Sequence, residues 1–592
     1  MKILLIIFFI FISACNTRDS LSSSDLSIVS VIAVGATNGG ETNEPTTMLV
    51  ITFNRDISGL GVHDIVIAAD FPVIKGEFNQ VDAATYTLEV IPGGSGLIRV
   101  GLDPYRFEWR WDAKTATVNA ILHFSGTADL SITGYWMYGV PVEIPARIPA
   151  REGGIPVTAV GREAFQGRQI TGVIIPQGIT SIGNSAFMLN RLTGVVIPES
   201  VTVIGPGAFS NNLLTSISIP GQITIINERL FSNNQLTSVF IPDNILSIRD
   251  NAFSHNQLTD VIISDSVISI GNYAFNNNQL TGITIPESVA SIGIYAFSNN
   301  LLTDIVIPES ITTIMAFSFA GNRLQDVTLH ESIILIDNSA FADNMLTSVL
   351  LPDSVISLAG FNNNRLTEII IPESVETIGT LAFAGNLLDK PVIIPDAVTI
   401  IGASAFANNR LTDITIPDNV TLIGNSAFAN NLLESAVISG SITTIGSSMF
   451  ANNQLGSIDI PDTIAVIGSN AFLNNKLTGI IIPQGVMSIG NSAFAGNELT
   501  DITLPDTLDV IGESVFEYNN LTVIEIPDSV SIIRNRAFAR NPSLVSITIG
   551  EGVSFNGIPF DNGFEAVYND GKTAGTYTRP HPATSEWSLI NE

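Results

Sequence analysis

Apolar positions recur along most of this chain with a period much longer than a helical turn or a strand alternation. Phenylalanine returns at a dominant spacing of 22 residues, with one interval two residues short before Phe361 and one a residue long before Phe406. A fixed period of about 20–50 residues is the signature of stacked repeats, so the pattern predicts a repeat array. The 18 copies are centred on Phe165, Phe187, Phe209, Phe231, Phe253, Phe275, Phe297, Phe319, Phe341, Phe361, Phe383, Phe406, Phe428, Phe450, Phe472, Phe494, Phe516 and Phe538.

Each copy contains one segment that alternates like a strand. In the copy that begins at Leu280, the next inward positions are Ile283 and Ile285, and Pro286 ends the segment because proline has no amide hydrogen to donate. The pattern predicts one strand per coil. Burial of about seven inward apolar residues contributes roughly 10–20 kcal/mol to the free energy of folding of one copy. This is less than the entropic cost of ordering a whole copy. No copy should therefore fold alone, and the copies must stack on one another.

The second half of the copy closes the coil. Val289 and Ile292 return to the core on an opposite wall, and small Ala296 leaves room for Phe297. In most copies an asparagine stands three residues after the phenylalanine, where it can satisfy backbone groups at a buried turn. This asparagine column comprises Asn190, Asn212, Asn234, Asn256, Asn278, Asn300, Asn322, Asn344, Asn364, Asn386, Asn409, Asn431, Asn453, Asn475, Asn497, Asn519 and Asn541.

These positions resemble the BspA-like leucine-rich-repeat family, whose copies read approximately Leu-Thr-x-Ile-x-Ile-Pro-Asp/Glu-Ser-Val-x-x-Ile-Gly-x-x-Ala-Phe. The resemblance extends from about Thr133 to Thr578. We therefore expect a mainly β fold, a right-handed leucine-rich-repeat solenoid of about 18 coils with a 22-residue period, preceded by a small β-sandwich. Residues 161–550 are assigned to the repeats, 119–160 to an N-terminal cap and 551–592 to a C-terminal cap, because a repeat array needs polar ends.

The regular spacing fails between residues 358 and 395. Pro391 stands at a strand position, and the neighbouring copies differ in length. Because proline removes a ladder hydrogen bond, we expect the stack to kink or to lose strand pairing in this segment.

The first residues have the pattern of an export signal. Lys2 precedes an apolar run of about ten residues, which is too short to cross a bilayer of roughly 30 Å as a helix. The run ends in Ser13-Ala14-Cys15, which resembles a bacterial lipobox, and Cys15 is the sole cysteine. Residues 1–15 are expected to be a lipoprotein signal peptide with Cys15 as the lipidated residue, and 16–27 a flexible tether. The alternative is an ordinary secretory signal with an incidental cysteine.

Residues 28–118 contain short strand-like runs separated by turn residues. The stretch from Leu49 to Ile57 resembles bacterial Ig-like domains of surface proteins, which implies an antiparallel β-sandwich. The segment from Arg106 to Trp111 alternates aromatic and charged residues, and we interpret it as a last packed strand rather than a cation–π or nucleic-acid strip. The predicted strands are Ile28–Val34, Met48–Phe53, Ile65–Ala68, Tyr86–Ile91 and Leu97–Leu102.

Strand alternation also predicts an outward-facing surface. The position between the two inward residues is apolar in many copies, and large exposed apolar patches mark interfaces; selection of β-branched residues for strand propensity is an equal alternative. This exposed row comprises Phe240, Ile262, Val306, Leu350, Ile370, Val437 and Ile481, with Ile393 in the same register. Two positions earlier lies an acidic flank of Asp260, Asp304, Asp326, Glu368, Asp413 and Asp501.

A second acidic column follows the prolines. Its carboxylates are predicted to cap backbone amides locally, with calcium binding as the alternative. We call it the post-proline column, and it includes Glu199, Asp243, Asp265, Glu287, Glu309, Glu331, Asp353, Glu373, Asp396, Asp418, Asp462, Asp506 and Asp528.

Composition narrows the function. The 25 basic and 55 acidic residues give a formal net charge of −30, which would repel nucleic acid and disfavour self-association, so a monomer is expected. A single cysteine leaves no intramolecular disulfide. The five histidines occupy unrelated positions, and no nucleophile motif, zinc spacing or phosphate loop is present in the sequence. No enzyme activity, catalytic residue, metal site or cofactor is therefore expected.

The BspA-like resemblance implies a cell-surface, adhesin-like protein that engages host matrix or other bacterial surface proteins through the exposed sheet of the solenoid. The lipobox implies an exported lipoprotein held by its lipid anchor at the outer membrane or cell surface. The alternative is a structural or periplasmic envelope protein, stabilised by cations, that has no host partner.

Overall fold

A computed structural model describes residues 28–38, 45–53, 65–69, 73–80, 85–92, 98–102, 121–125, 130–136, 145–148, 150–152 and 155–590, with side chains described chiefly from residue 156 onward. The expected signal peptide with Cys15, the tether and the segment from Arg106 to Trp111 lie outside the described residues. The chain forms two compact units, Met1–Leu236 and Thr237–Glu592.

The first unit begins with antiparallel strands. They are β1 (Ile28–Asn38), β2 (Pro45–Phe53), β3 (Ile65–Ala69), β4 (Val73–Gln80), β5 (Thr85–Pro92) and β6 (Ile98–Leu102). Strands β1, β2, β5 and β4 form one sheet in that order, and β3 pairs with β6. All five predicted strands are present. The sequence pattern missed β4, because Lys75, Gly76, Glu77 and Asn79 interrupt its apolar alternation.

Parallel pairing begins where the repeats begin. The strands are β7 (Ile121–Ser125), β8 (Leu130–Trp136), β9 (Pro145–Arg147), β10 (Arg151–Glu152), β11 (Ile155–Val160), β12 (Gly172–Ile174), β13 (Ser181–Ile182), β14 (Val195–Val196), β15 (Val203–Ile204) and β16 (Ile225–Ile226). Strands β7 and β8 form an antiparallel hairpin, and β8 pairs in parallel with β11, which continues into β13 and β15. Strands β9, β12 and β14 form a separate parallel sheet. The hairpin therefore lies at the edge of the first parallel sheet.

The regular secondary structure of the second unit consists almost entirely of short strands, which are joined by turns. They are β17 (Ser238–Ile241), β18 (Ser247–Ile248), β19 (Asp260–Ile263), β20 (Ser269–Ile270), β21 (Ser291–Ile292), β22 (Thr313–Ile314), β23 (Leu335–Ile336), β24 (Ser357–Leu358), β25 (Thr377–Ile378), β26 (Ile400–Ile401), β27 (Asp413–Thr415), β28 (Leu422–Ile423), β29 (Ser435–Val437), β30 (Thr444–Ile445), β31 (Val466–Ile467), β32 (Gly479–Ile481), β33 (Ser488–Ile489), β34 (Asp501–Thr503), β35 (Val510–Ile511), β36 (Val523–Glu525), β37 (Ile532–Arg534), β38 (Ser546–Ile549), β39 (Ser554–Asn556), β40 (Gly575–Thr578) and β41 (Ser588–Leu589), with one helix, α1 (Phe564–Asn569). The mainly β solenoid with a 22-residue period is confirmed.

The coils of this unit meet on two walls. The front wall follows each repeat leucine and contains the parallel pairs β17–β19, β27–β29, β32–β34 and β36–β38. The back wall, on the opposite side, contains an unbroken parallel sheet of β22, β23, β24, β25, β26 and β28. The prediction of one strand per coil is therefore wrong. Back-wall strands are mostly two residues long, too short to leave an alternation that can be recognised in the sequence.

The repeat phenylalanines form a column of stacked rings inside each unit. In the first unit the rings of Phe165, Phe187, Phe209 and Phe231 lie 5.0–6.0 Å apart between centroids. In the second unit, successive rings from Phe253 to Phe538 lie 5.3–6.1 Å apart. Their exposed fractions are 0–1%. Offset stacking at this spacing favours aromatic pairs beyond their burial, so the ring column joins each coil to the next.

The copies of unusual length tilt the rings without breaking the back wall. The interplanar angle is 17° between Phe341 and Phe361 and 22° between Phe383 and Phe406, whereas the other successive pairs of the second unit lie at 4–12°. Back-wall strands β24, β25 and β26 still pair in register. The predicted loss of pairing over residues 358–395 is thus wrong for the back wall. On the front wall, the described residues between β19 and β27 contain only an isolated bridge between Val306 and Thr328.

The asparagine column links three segments of backbone in each coil. Asn300 Nδ2 donates to the carbonyl of Phe297 at 3.1 Å and to the carbonyl of Phe275, one coil earlier, at 3.0 Å. Its Oδ1 accepts the amide hydrogen of Leu280 at 3.1 Å. The same bonds recur at Asn278 and at Asn541. The prediction that this column satisfies buried backbone groups is confirmed.

The second unit ends in an aromatic cluster. Phe560 continues the ring column at 5.2 Å from Phe538, and Phe564 then meets Phe560 edge-on at 5.0 Å and 76°. The Tyr568 hydroxyl donates to the Gly550 carbonyl at 2.6 Å, and burial raises its pKa. Strand β40 pairs antiparallel with β38, the last parallel strand of the front wall. The edge-on ring and the reversed strand leave no surface on which another identical coil could stack.

The asparagine geometry predicts a strong effect of a nearly isosteric change. Asn300→Asp places a carboxylate against the Phe275 and Phe297 carbonyls, which lose their donor, so the free energy of unfolding should fall by about 3 kcal/mol or more. The same change at exposed Asn299 should alter it by less than about 0.5 kcal/mol. Urea denaturation of the two variants measures the difference, and equal losses would contradict the role given to the column.

The ring column predicts a second difference. Phe297→Ala removes a fully buried ring and should cost about 3–5 kcal/mol of stability. Phe317→Ala, at a half-buried ring that stacks on Tyr295, should cost only about 1 kcal/mol. Thermal unfolding followed by circular dichroism compares them; similar midpoints would argue against the inner column as the main contact between coils.

Candidate interaction surface

The exposed row lies on the front wall of the second unit. Leu350 is 83% exposed, Ile370 79% and Ile393 77%. Phe240, Ile262, Val306, Val437 and Ile481 are 55–73% exposed. Strand pairing holds neighbouring members together, because Phe240 is the register partner of Ile262.

Alternation explains why these side chains face water. Within β19, Val261 and Ile263 are 5% and 7% exposed, whereas Ile262 between them is 55% exposed. The outward position cannot be buried without turning its two neighbours out of the core. Packing of the core therefore determines that these positions face outward, but it does not determine which residue types occupy them.

Strand propensity does not account for the most exposed members. Leu350, Ile370 and Ile393 lie in coils that have no front-wall strand among the described residues. Leu350 is also not β-branched, so a preference of the pleated backbone for branched side chains does not apply to it. Strand propensity therefore does not explain the apolar side chain of Leu350.

The acidic flank lies beside the row and is exposed throughout. Asp304 Oδ2 accepts the hydroxyl of Thr303 at 3.0 Å, and Asp413 Oδ2 accepts that of Thr412 at the same distance. No flank carboxylate has an ion-pair partner within residues 237–590, where the ion pairs are Lys390–Asp389, Arg536–Glu517 and Arg540–Asp561. The flank therefore presents uncompensated negative charge.

The post-proline column does less capping than its position suggested. Glu287 Oε2 accepts the amide hydrogen of Glu309 at 3.0 Å, and in the first unit Glu199 Oε2 accepts the amide hydrogen of Gly221 at 2.9 Å. Within residues 237–590 its other carboxylates accept no hydrogen bond and form no ion pair. The following serine satisfies the turn instead, as Ser310 Oγ donates to the Val289 carbonyl at 2.6 Å. Sequence reasoning missed the role of this serine, although a serine follows the acidic residue in eight of the 13 copies of the post-proline column.

Two further surfaces were not predicted. The back wall exposes Met487 at 65% and Ile268 at 52%, but polar residues such as Glu376 interrupt it. At a turn, the rings of Tyr273, Tyr295 and Phe317 stack at 4.8 and 4.5 Å with φ near 57°. Positive φ is unusual for bulky residues, so no turn pattern in the sequence identified these positions.

The described residues contain no cluster of three or more His, Cys, Asp or Glu side chains with metal-binding geometry. His330 uses Nε2 to contact the Pro308 carbonyl at 2.6 Å, one coil away. Within the same part of the chain, no helix has the length and apolar character to cross a membrane.

Comparison with protein families identifies the repeat. A family model described as BspA type Leucine rich repeat region (6 copies) matches residues 155–259, 246–360, 354–478 and 465–562. The chain belongs to this family. BspA-type repeats are protein-interaction scaffolds, and proteins that carry them are typically surface-associated bacterial proteins.

Solved structures give further similarities to this BspA-type chain. YopM from Yersinia enterocolitica WA-314 is 16% identical, with 65% of this chain and 86% of that chain covered and a TM-score of 0.42. A leucine-rich repeat protein from Bacteroides ovatus ATCC 8483 is 20% identical, with 75% and 90% covered and a TM-score of 0.32. A leucine rich cell surface protein from Faecalibacterium prausnitzii A2-165 is 23% identical, with 78% and 100% covered and a TM-score of 0.32. Comparison with curated proteins gives no match.

The exposure of the row predicts that it contributes little to folding. Leu350→Ala should change the free energy of unfolding by less than about 0.5 kcal/mol, because the side chain is already in water. Leu351→Ala, one residue later and 6% exposed, should cost about 2–5 kcal/mol. Chemical denaturation measures both variants. A comparable loss in the free energy of unfolding in Leu350→Ala would indicate that strand propensity or local packing explains the apolar side chains of the row.

Proposed function

We propose that this BspA-type protein is a non-catalytic, adhesin-like binding protein that engages host matrix or other bacterial surface proteins through its front wall. The observation that carries the proposal is the 77–83% exposure of Leu350, Ile370 and Ile393, in coils whose described residues include no front-wall strand. Apolar side chains gain free energy when they leave water, about 25 cal/mol per Å². A row of them is therefore a surface that a partner stabilises by covering.

The partner contacts are assigned to the exposed row, and the acidic flank selects among partners by charge. Uncompensated carboxylates steer and discriminate more than they add to affinity. The flank thus disfavours anionic surfaces, whereas the row provides the contact area. Both features lie on one wall, which leaves the back wall as an internal control.

The rest of the chain presents this wall. Cys15 carries the lipid anchor, residues 16–27 act as the tether, and 28–118 form an Ig-like spacer, which the antiparallel order β1-β2-β5-β4 supports. Residues 119–160 and 551–592 serve as caps of the repeats in 161–550. A net charge of −30 favours a monomer. The location proposed is the outer membrane or cell surface.

A structural envelope protein with no host partner is the competing function. Proteolysis of intact cells separates the two, because a protein that meets partners outside the cell is cleaved before the envelope is opened. Protection until the envelope is opened favours the envelope protein. A large rise in melting temperature with calcium would identify the cation-stabilised form of it.

The surface assignment predicts a wall-specific loss of binding. One variant combines Phe240→Lys, Ile262→Lys and Leu350→Lys. Its capture on immobilised matrix proteins should be at least tenfold weaker, because three contact residues are replaced by charges. The matched control carries Leu246→Lys, Ile268→Lys and Ile334→Lys on the back wall, at positions 47–52% exposed. Surface plasmon resonance compares the two with the unmodified chain; equal binding by all three would refute the front wall as the binding surface.

A further inference from the structure

We propose that the front wall recognises a cationic amphipathic α-helix, which lies along the direction in which the coils stack. This inference rests on the proposed function and names the chemistry of its partner. It follows from the placement of carboxylates on both sides of the row, the width of that arrangement and its repeat along the unit.

Negative charge borders the row on two sides. In six coils the outward residue stands between a flank carboxylate and a post-proline carboxylate. Examples are Ile262 between Asp260 and Asp265, Val306 between Asp304 and Glu309, and Ile370 between Glu368 and Glu373, all of them exposed. None of these carboxylates has an ion-pair partner within residues 237–590. A complementary partner therefore needs an apolar stripe with positive charge along both of its borders.

The width of this surface suits a helix. The flank residue precedes the row residue by two positions and the post-proline residue follows it by three, which corresponds to about 7 Å and at most about 10 Å of extended chain. An α-helix with its side chains is about 10–12 Å across. Lysine and arginine at the borders of an apolar stripe extend sideways from such a helix. A strand lying flat sends alternate side chains to opposite faces, so its cations would point away from both columns.

The repeat along the unit also suits a helix over a limited length. Row residues joined by parallel pairing, such as Phe240 with Ile262 and Val306 with Thr328, are spaced near 4.8 Å, and an apolar stripe on a helix recurs about every 5.4 Å. The mismatch is about 0.6 Å per coil, so contact holds for about four coils before it slips by half a turn. The best segment is Val306, Thr328, Leu350 and Ile370, which seven carboxylates border between Asp304 and Glu373.

Charge excludes other occupants. A second copy of a chain with net charge −30, an anionic membrane surface and nucleic acid would all be repelled by this wall. A bound divalent ion would need several ligands together, and the described residues contain no such cluster of three. A cationic segment of another protein or a cationic peptide remains as the occupant of matching chemistry.

The test uses the full chain and three labelled 18-residue probes. One is a leucine–lysine peptide patterned as an amphipathic helix, one has the same composition in strict alternation, and one replaces lysine by glutamate. Fluorescence anisotropy should give at least tenfold tighter binding of the helical cationic probe than of the alternating probe. No binding of the glutamate probe is expected. The affinity should fall at least tenfold between 50 and 500 mM salt, because screening weakens the charge contacts. Circular dichroism at 222 nm should gain helical signal on binding.

Matched variants separate the site from general attraction to an acidic protein. The test variant combines Asp304→Asn, Glu309→Gln, Glu368→Gln and Glu373→Gln. Its affinity for the helical cationic probe should be at least tenfold lower than that of the unmodified chain. A control variant loses the same number of charges at exposed positions outside the two columns. Its affinity for the helical cationic probe should stay within twofold of the affinity of the unmodified chain. The control set is Asp343→Asn, Glu376→Gln, Glu498→Gln and Glu513→Gln.

The outcomes distinguish this inference from the function beneath it. Tighter binding of the alternating probe would overturn the helix in favour of an extended segment, and equal losses in both variant sets would reduce the effect to general electrostatics. If capture on matrix proteins depends on Phe240, Ile262 and Leu350 but no helical probe binds, the proposed helical partner is refuted and the proposed function is not. If capture on matrix proteins is also unchanged when those three residues are replaced, the proposed function is refuted as well.

Discussion

The structure depends on the satisfaction of buried backbone groups at the turn after each repeat phenylalanine. A coil of 22 residues cannot bury its own turn, and an unpaired peptide group in the core costs about 1–3 kcal/mol. The side chain of Asn300 resolves this by donating to carbonyls of two successive coils, those of Phe275 and Phe297, and by accepting the amide hydrogen of Leu280 at the start of its own copy. Every coil is completed by a residue of its successor, so the array folds collectively and needs a different solution at its ends.

This constraint divides the coil into positions that are fixed and positions that are free. The asparagine, the buried ring and the inward aliphatic residues leave no room for variation in size or polarity. The outward position of the front wall has no such requirement, since its side chain is largely exposed to water. A solenoid therefore separates stability from recognition along one chain, and an apolar residue such as Leu350 at a free position needs an explanation other than packing.

Features marked by a repeated residue type could be predicted from the sequence, whereas features defined by backbone hydrogen bonds or backbone angles could not. Spacing alone located the ring column, the asparagine column and the outward direction of Ile262, because each is repeated in register. The back-wall strands were missed because they are mostly two residues long and are defined by hydrogen bonds between coils rather than by a local pattern. The turn at Tyr273, Tyr295 and Phe317 was missed because bulky residues with positive φ violate the rule by which turns are recognised.

The same division bears on charge. Carboxylates repeated once per coil, such as Glu309 and Glu331, stand without cationic partners and repel one another, so they lower the stability of the free chain. The collective core can tolerate this cost, because each copy adds a shared ring and shared hydrogen bonds to its neighbours. A cationic partner of the proposed kind relieves this repulsion when it binds, whereas a neutral or anionic partner does not, so the carboxylates discriminate between partners. The shared core thus allows unpaired charge to be kept at free positions, where it selects between partners.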